Sequence, residues 1–223
     1  MIKSNSIPIQ INNLSIAYGE YKVIQNFSLT INKGETVVIK GASGCGKSTL
    51  LHAICGLIPS LIKAETTGEV LLFGKNIKTL SIADRAKEIG IVFQNPETQL
   101  FCDTVEDEIA FGLENLNTSK LEMNKRITKM LTLVNMEKYR LTSPRELSGG
   151  QKQRVVLASV LALYPRILLL DEAMSQLDQR GRESLTSHII DLQKQGITML
   201  LVDHDEQLES IATSCVSLEE VIS

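Results

Sequence analysis

Residues Gly41-Ala42-Ser43-Gly44-Cys45-Gly46-Lys47-Ser48-Thr49 place a lysine and two hydroxyls at the end of a glycine-rich stretch. The stretch follows an apolar run, Val37-Val38-Ile39, and precedes a helical pattern at Leu50, Leu51, Ile54 and Leu57. A strand, a glycine loop ending in Lys-Ser, and a helix are the context that a phosphate-cradling loop requires. Gly41, Gly44 and Gly46 let the backbone wrap so that N–H groups, including those of Ser43 and Cys45, face phosphate oxygens. The helix start at Lys47 to Thr49 adds its dipole. Lys47 would neutralise the β- and γ-phosphates, and the Ser48 hydroxyl would ligate Mg²⁺. A plain glycine turn explains the glycines but not Lys-Ser at this spacing. The stretch points to nucleotide binding and leaves the reaction open.

Two further groups bear on the reaction. Ile167 to Leu170 run straight into Asp171-Glu172. An acid at a strand end beside a phosphate loop can hold Mg²⁺, and a second acid after it can polarise an attacking water. Taken alone, Asp171 also suits the cap of a following helix. The other group is Leu147-Ser148-Gly149-Gly150-Gln151-Lys152-Gln153-Arg154. Ser148 and Gln151 fit a capping box. That does not account for Gly149 and Gly150, each costing a helix roughly 1 kcal/mol relative to alanine. Two glycines in a first turn suit close approach of a phosphate to the backbone. Gly41 to Thr49 already holds one nucleotide, so this second helix start makes sense if it serves a nucleotide bound to another subunit.

The elements that must position these groups are legible in outline. Thr36-Val37-Val38-Ile39, Ile167-Leu168-Leu169-Leu170 and Met199-Leu200-Leu201-Val202 are apolar on both faces and alternate with helix-like segments. That pattern predicts an α/β fold with a parallel sheet covered on both sides. Ile89 to Phe93 reads as one more buried strand. Thr104-Val105-Glu106-Asp107 and Ser119-Lys120-Leu121-Glu122 read as capping boxes that open amphipathic helices. They predict a helical subdomain at about residues 95 to 145, inserted in a single α/β domain spanning 1 to 223.

Composition narrows the function classes. The 223 residues are 43% hydrophobic and 22% charged, as in ordinary globular proteins. A net charge of −3 argues against non-specific nucleic-acid binding. Cys45, Cys55, Cys102 and Cys215 form no CxxC pair and no zinc spacing, and read as reduced thiols. The N-terminus lacks a signal peptide's apolar core, and Val155 to Leu163 is too short to cross a bilayer. The chain reads as soluble, working at a membrane only through a partner.

With these motifs in place, nearly the whole chain resembles the ATP-binding-cassette (ABC) ATPases. The resemblance implies a P-loop fold with a mostly parallel core sheet, an N-terminal antiparallel β portion and a helical subdomain. It implies ATP and Mg²⁺ as cofactors and a second ABC subunit, identical or paralogous, paired head to tail. Each ATP would lie between one subunit's Gly41–Thr49 loop and the other's Ser148, Gly149, Gly150 and Gln151. By the same resemblance, Tyr18 stacks on adenine and Gln94 senses Mg²⁺ and the attacking water. Asp171 binds the metal and Glu172 is the general base. Asp178 lies in the loop that crosses the dimer, and His204 is the switch histidine that contacts the γ-phosphate. His52 and His188 read as helix-face residues.

The string Phe93-Gln94-Asn95-Pro96-Glu97-Thr98-Gln99-Leu100-Phe101 is most similar to that of the energy-coupling-factor (ECF) transporter ATPases, which carry Gln-Asn-Pro-x-x-Gln-Leu-(Phe/Ile) at this point. That implies an ATPase at the cytoplasmic face of the membrane, powering uptake of a vitamin or transition-metal ion. Integral membrane subunits would dock near Gln99, Leu100 and Phe101. The alternatives are the ATPase of another ABC importer, or a soluble ABC protein outside transport. The chain departs from the pattern at Ala173-Met174, where Pro-Thr is common, and at Asp203, where Thr or Ser usually precedes the histidine. Its end at Ser223, soon after His204, bears on dimer stability and leaves the catalytic set untouched.

Overall fold

A computed structural model describes residues 7–175, 177–203 and 205–218. Two sheets organise it. The first joins β1 (Ile9–Tyr18), β2 (Tyr21–Ile31), β4 (Glu65–Leu72) and β5 (Lys75–Asn76) in the order β2-β1-β4-β5, with antiparallel pairing. The second joins β3 (Thr36–Lys40), β6 (Ile89–Val92), β7 (Ile167–Asp171), β8 (Thr198–Val202) and β9 (Ser214–Ser217). Its order is β6-β7-β8-β3-β9, and every pairing in it is parallel.

The parallel strands explain their own composition. Leu168 and Leu170 of β7 face one apolar cluster, while Ile167 and Leu169 face the other. β8 divides the same way, with Met199 and Leu201 on one side and Leu200 and Val202 on the other. A strand buried on both faces has no polar position to alternate with. One cluster holds α1 (Lys47–Ile54) and the antiparallel sheet against this core. The other holds α3 (Val105–Asn115), α4 (Lys120–Leu133), α5 (Gly149–Ala162) and α6 (Gln179–Lys194). Short helices α2 (Ile82–Glu88) and α7 (Glu206–Ile211) complete the set described.

The helices between β6 and α5 begin where the sequence places their caps. Thr104 accepts from the Asp107 N–H at 3.1 Å and Ser119 from the Glu122 N–H at 3.4 Å. Ile109, Leu113, Ile127 and Leu131 turn their apolar faces onto Val155, Leu157 and Leu161 of α5. Packing ties these helices to α5, whose N-terminus carries Ser148 to Gln151.

The antiparallel sheet is the part that the residue pattern alone does not forecast. Ile9, Ile11, Leu14 and Ile16 are buried, but the alternation slips between Ile11 and Leu14 because the β1–β2 and β1–β4 registers shift there. A bulge keeps both halves of the strand facing inward. Asn13 sits at φ 48°, and Gly68 on the neighbouring strand sits at φ +76°. A Cβ on Gly68 would stand 2.3 Å from the Asn13 carbonyl oxygen, so only glycine fits. Among the described residues, no helix is long and apolar enough to cross a membrane.

Candidate functional site

The glycine loop follows β3 directly. Gly46 has φ 105°, and a Cβ there would come within 2.7 Å of Val23 Cγ1 and 3.3 Å of the Val23 carbonyl oxygen. The loop is pressed onto β2 from behind. At Gly44, with φ +82°, an added Cβ would meet nothing within 4 Å, so that side of the loop is open. Lys47 is only 5% exposed, and its ammonium donates to the carbonyls of Gly41 at 2.6 Å and Ala42 at 2.8 Å. The side chain folds back and closes the loop into a ring. No side chain caps the start of α1. Its first-turn N–H groups have no intrahelical acceptors and are left to a ligand such as phosphate. Cys45 packs part of its side chain against the apolar cluster beneath.

Asp171 ends β7 at 4% exposure. Its Oδ1 is buried without a hydrogen-bond partner. Burial raises its pKa above the ordinary aspartate value, and the Glu172 carboxylate adds to this. The Ser48 hydroxyl, His52 and Lys47 pull the other way. A desolvated carboxylate with an open oxygen, beside a loop hydroxyl, fits a Mg²⁺ ion held jointly with phosphates. Among the described residues no cluster of three or more His, Cys, Asp or Glu could hold a metal. A site sharing its ligands with a nucleotide needs none.

Without the ion, the ionised Asp171 is a liability. Its raised pKa gives stability that is present at low pH and lost as pH rises through the folded-state value. We therefore expect Asp171→Asn to raise the Tm of the nucleotide-free protein at neutral pH by roughly 2–4 °C per kcal/mol of relieved cost. The same change should abolish the extra stabilisation that Mg²⁺ adds to ATP. Calorimetric scans with and without Mg²⁺–ATP check both.

Glu172 follows at φ 46°, a left-handed conformation uncommon outside glycine. Its N–H donates to the Val202 carbonyl at 2.7 Å, and its own carbonyl accepts from Ser175 N–H at 3.0 Å and Ser175 Oγ at 2.7 Å. Gln94 Nε2 donates to the Glu172 carboxylate, joining the end of β6 to the end of β7. Gln94 is itself held from behind. The Gln99 amide accepts from the Phe93 N–H at 2.7 Å and donates to the Ile91 carbonyl at 3.1 Å. Asn95 accepts from the Glu97 N–H at 3.0 Å, capping the short turn Pro96–Thr98. Phe93 meets His52 edge-on at 5.7 Å, placing that helix-face histidine behind the Gln94 loop. Burial lowers the His52 pKa, against the pull of Asp171.

The remaining residues lie apart from this group. Ser148 caps α5 with a full capping box: its hydroxyl accepts from the Gln151 N–H at 3.4 Å and its N–H donates to Gln151 Oε1 at 2.8 Å. None of these bonds reaches Lys47, Asp171 or Glu172. Gly149 and Gly150 form the first turn of α5. Asp178 caps α6, accepting from the Gly181 N–H at 2.8 Å. Tyr18 ends β1, 38% exposed and paired with Tyr21. His204 lies outside the described residues.

Two polar residues gain a place here that the sequence does not give them. One is Gln99, read in the sequence only as part of the docking string, whose amide is turned onto the backbone of β6. The other is Asp203, whose carboxylate bonds to the turn after Glu172. The sequence signal for Asp203 was its departure from the usual Thr or Ser.

Comparison with known proteins bears on family and fold. The family model described as "ABC transporter" matches residues 24–175. The energy-coupling factor transporter ATP-binding protein EcfA1 of Ligilactobacillus salivarius is 41% identical over 215 residues, covering 95% of this chain and 74% of that protein. Among solved structures, cbiO1 from Clostridium perfringens, part of the ABC transporter complex cbiONQ, aligns with a TM-score of 0.77 at 31% identity, covering 90% of this chain and 79% of that one. A dimeric ATP-binding cassette in a post-hydrolysis state, bound to ADP and Pi, aligns with a TM-score of 0.82 at 29% identity, covering 94% and 93%. A phosphate loop, a Gln94–Glu172 contact and a capped Ser-Gly-Gly-Gln helix on one P-loop fold thus coincide with a family match over most of the chain: this protein belongs to the ABC transporter family, as one of its ATPases.

Proposed function

We propose that the chain is the ATP-hydrolysing subunit of an ECF-type uptake transporter for a vitamin or a transition-metal ion. It would lie peripherally at the cytoplasmic face of the membrane. The observation that carries this reading is the surface beside Gln94. Phe101 is 64% exposed and stacks edge-on against the exposed Phe111 at 4.8 Å. Its backbone is not loose, because the buried Glu108 carboxylate accepts from the N–H groups of both Phe101 and Cys102. An aromatic pair held outward on a pinned backbone suits the docking of an apolar helix from a membrane subunit. Similarity to EcfA1 and cbiO1 supports the same partner class.

In this reading, ATP sits against Lys47 and the N–H groups of the Gly41–Thr49 loop, with its adenine on Tyr18. The Ser148–Gln151 helix start and Asp178 of a second subunit cover its outer side. Ser48, Asp171 and Gln94 would hold Mg²⁺, and the chemistry it would supply is neutralisation of phosphate charge. Glu172 orients and deprotonates the attacking water, with Gln94 fixing its carboxylate. His204 is assigned to the γ-phosphate by the family resemblance. Closure and reopening of the dimer then move the docked membrane subunit.

The test is a detergent pull-down with tagged parent chain and Phe101→Asp. Leu100 is left intact because it packs partly against the helical core. The parent is expected to retrieve an integral membrane protein, and Phe101→Asp to retrieve less than a tenth as much while binding ATP equally. Equal retrieval removes the docking surface from the proposal. Retrieval of ribosomes or nucleic acid in place of a membrane protein removes the transport role. Co-purification of a solute-binding protein moves the chain to another importer class.

A further inference from the structure

We propose that Asp203 is a positioning residue for Glu172, fastening the turn that carries it to the segment leaving β8. This rests on the reading of Glu172 as the general base.

Asp203 is 8% exposed, and its two oxygens are used in different directions. Oδ2 accepts from the Met174 N–H at 3.2 Å, two residues beyond Glu172. Oδ1 accepts from the Asp205 N–H at 3.1 Å, in its own segment. Asp205 in turn receives Arg182 Nη1 at 3.0 Å, reaching α6 a turn beyond its cap Asp178. The neighbouring residue completes the clamp: the Val202 carbonyl accepts the Glu172 N–H at 2.7 Å. The Glu172 turn is thus held on both sides of its left-handed residue by consecutive residues of one segment. Such a conformation persists only where surrounding bonds over-determine it.

The chemistry explains why an acid stands where the resemblance leads one to expect Thr or Ser. A carboxylate presents two oxygens and can accept from Met174 and Asp205 at once. A hydroxyl presents one oxygen on a shorter arm and reaches one of them. An amide of the same shape must aim its NH₂ at one of the two N–H donors. The Asp203 bonds to Met174 and Asp205 act on the turn that carries Glu172, and through that turn on turnover.

The test uses the full chain carrying Asp203→Asn or Asp203→Thr, alone and combined with Glu172→Gln. Single-turnover ATP hydrolysis, nucleotide affinity and Tm are read for each. Asp203→Asn is expected to lower the hydrolysis rate about 10- to 100-fold, as misplacement of a catalytic group by about 1 Å does. ATP affinity should be unchanged. In the Glu172→Gln background the second substitution should cost nothing further, a result that a merely structural role would not produce. Parent-like turnover in Asp203→Asn overturns the proposal, as does an equal fractional loss in the Glu172→Gln background. If Glu172→Gln itself keeps parent-like turnover, the general-base reading fails and takes this role with it. Loss in Glu172→Gln beside normal Asp203→Asn refutes the Asp203 role alone.

Discussion

Glu172→Gln should bind ATP as tightly as the parent chain and hydrolyse it about 10²- to 10⁴-fold more slowly, the usual contribution of a positioned general base. Glutamine keeps the length and one oxygen of the side chain, so Gln94 Nε2 retains an acceptor and the turn retains its shape. The Glu172 backbone bonds to Val202 and Ser175 do not involve the side chain and survive. What is lost is the capacity to take a proton. Equilibrium binding of a fluorescent ATP analogue, set beside steady-state phosphate release, separates the two quantities. Phosphate release within a few-fold of the parent would remove Glu172 from the role.

Lys47→Ala should act on the other quantity. Removing the ammonium deletes a charge-assisted contact to the phosphates, of about 1.5–3 kcal/mol, or roughly 10- to 150-fold in affinity. A second loss is local. Lys47 Nζ closes the loop through the carbonyls of Gly41 and Ala42, so the alanine variant also gives up the ring that pre-shapes the cradle. Lys47→Arg is not a rescue, because a planar guanidinium does not fit a pocket that buries Lys47 to 5% exposure. Isothermal titration with Mg²⁺–ATP checks both variants. An alanine variant with parent-like affinity would place the phosphates elsewhere.

These two variants probe one loop and one turn, and they divide the protein's behaviour cleanly. On the proposed function, Lys47 would govern whether nucleotide is held and Glu172 whether it is cleaved. Gln94 and Asp203 reach Glu172 from opposite sides, one at its carboxylate and one at its turn. The exposed Phe101 lies on the same segment as Gln94, joined to it by the Gln99 brace on β6.

Much of this was determined by the sequence itself. Val37 to Ile39, Ile167 to Leu170 and Met199 to Val202 have no polar alternation, so they have no choice but burial between two layers. Thr104, Ser119 and Ser148 cap their helices through bonds spanning three residues, and such bonds are read directly from spacing. The Gly-rich loop with Lys47 and Ser48 is equally local.

Tertiary structure decided the rest. The antiparallel sheet hides its period behind the register slip at Asn13 and Gly68, whose fit depends on strands far apart in the chain. The Gln94–Glu172 bond joins residues 78 apart, and the Asp203–Met174 bond joins residues 29 apart. Neither distance has a local signature. Gln99 in sequence belongs to the string expected to dock a membrane subunit, and only the course of β6 turns its amide inward. Spacing marks Asp171 as a candidate Mg²⁺ ligand, but its raised pKa comes from burial once the layers on both sides of β7 have closed. Short-range bonding is written in residue spacing, whereas desolvation and long-range pairing exist only once the sheets and helices have closed around the site.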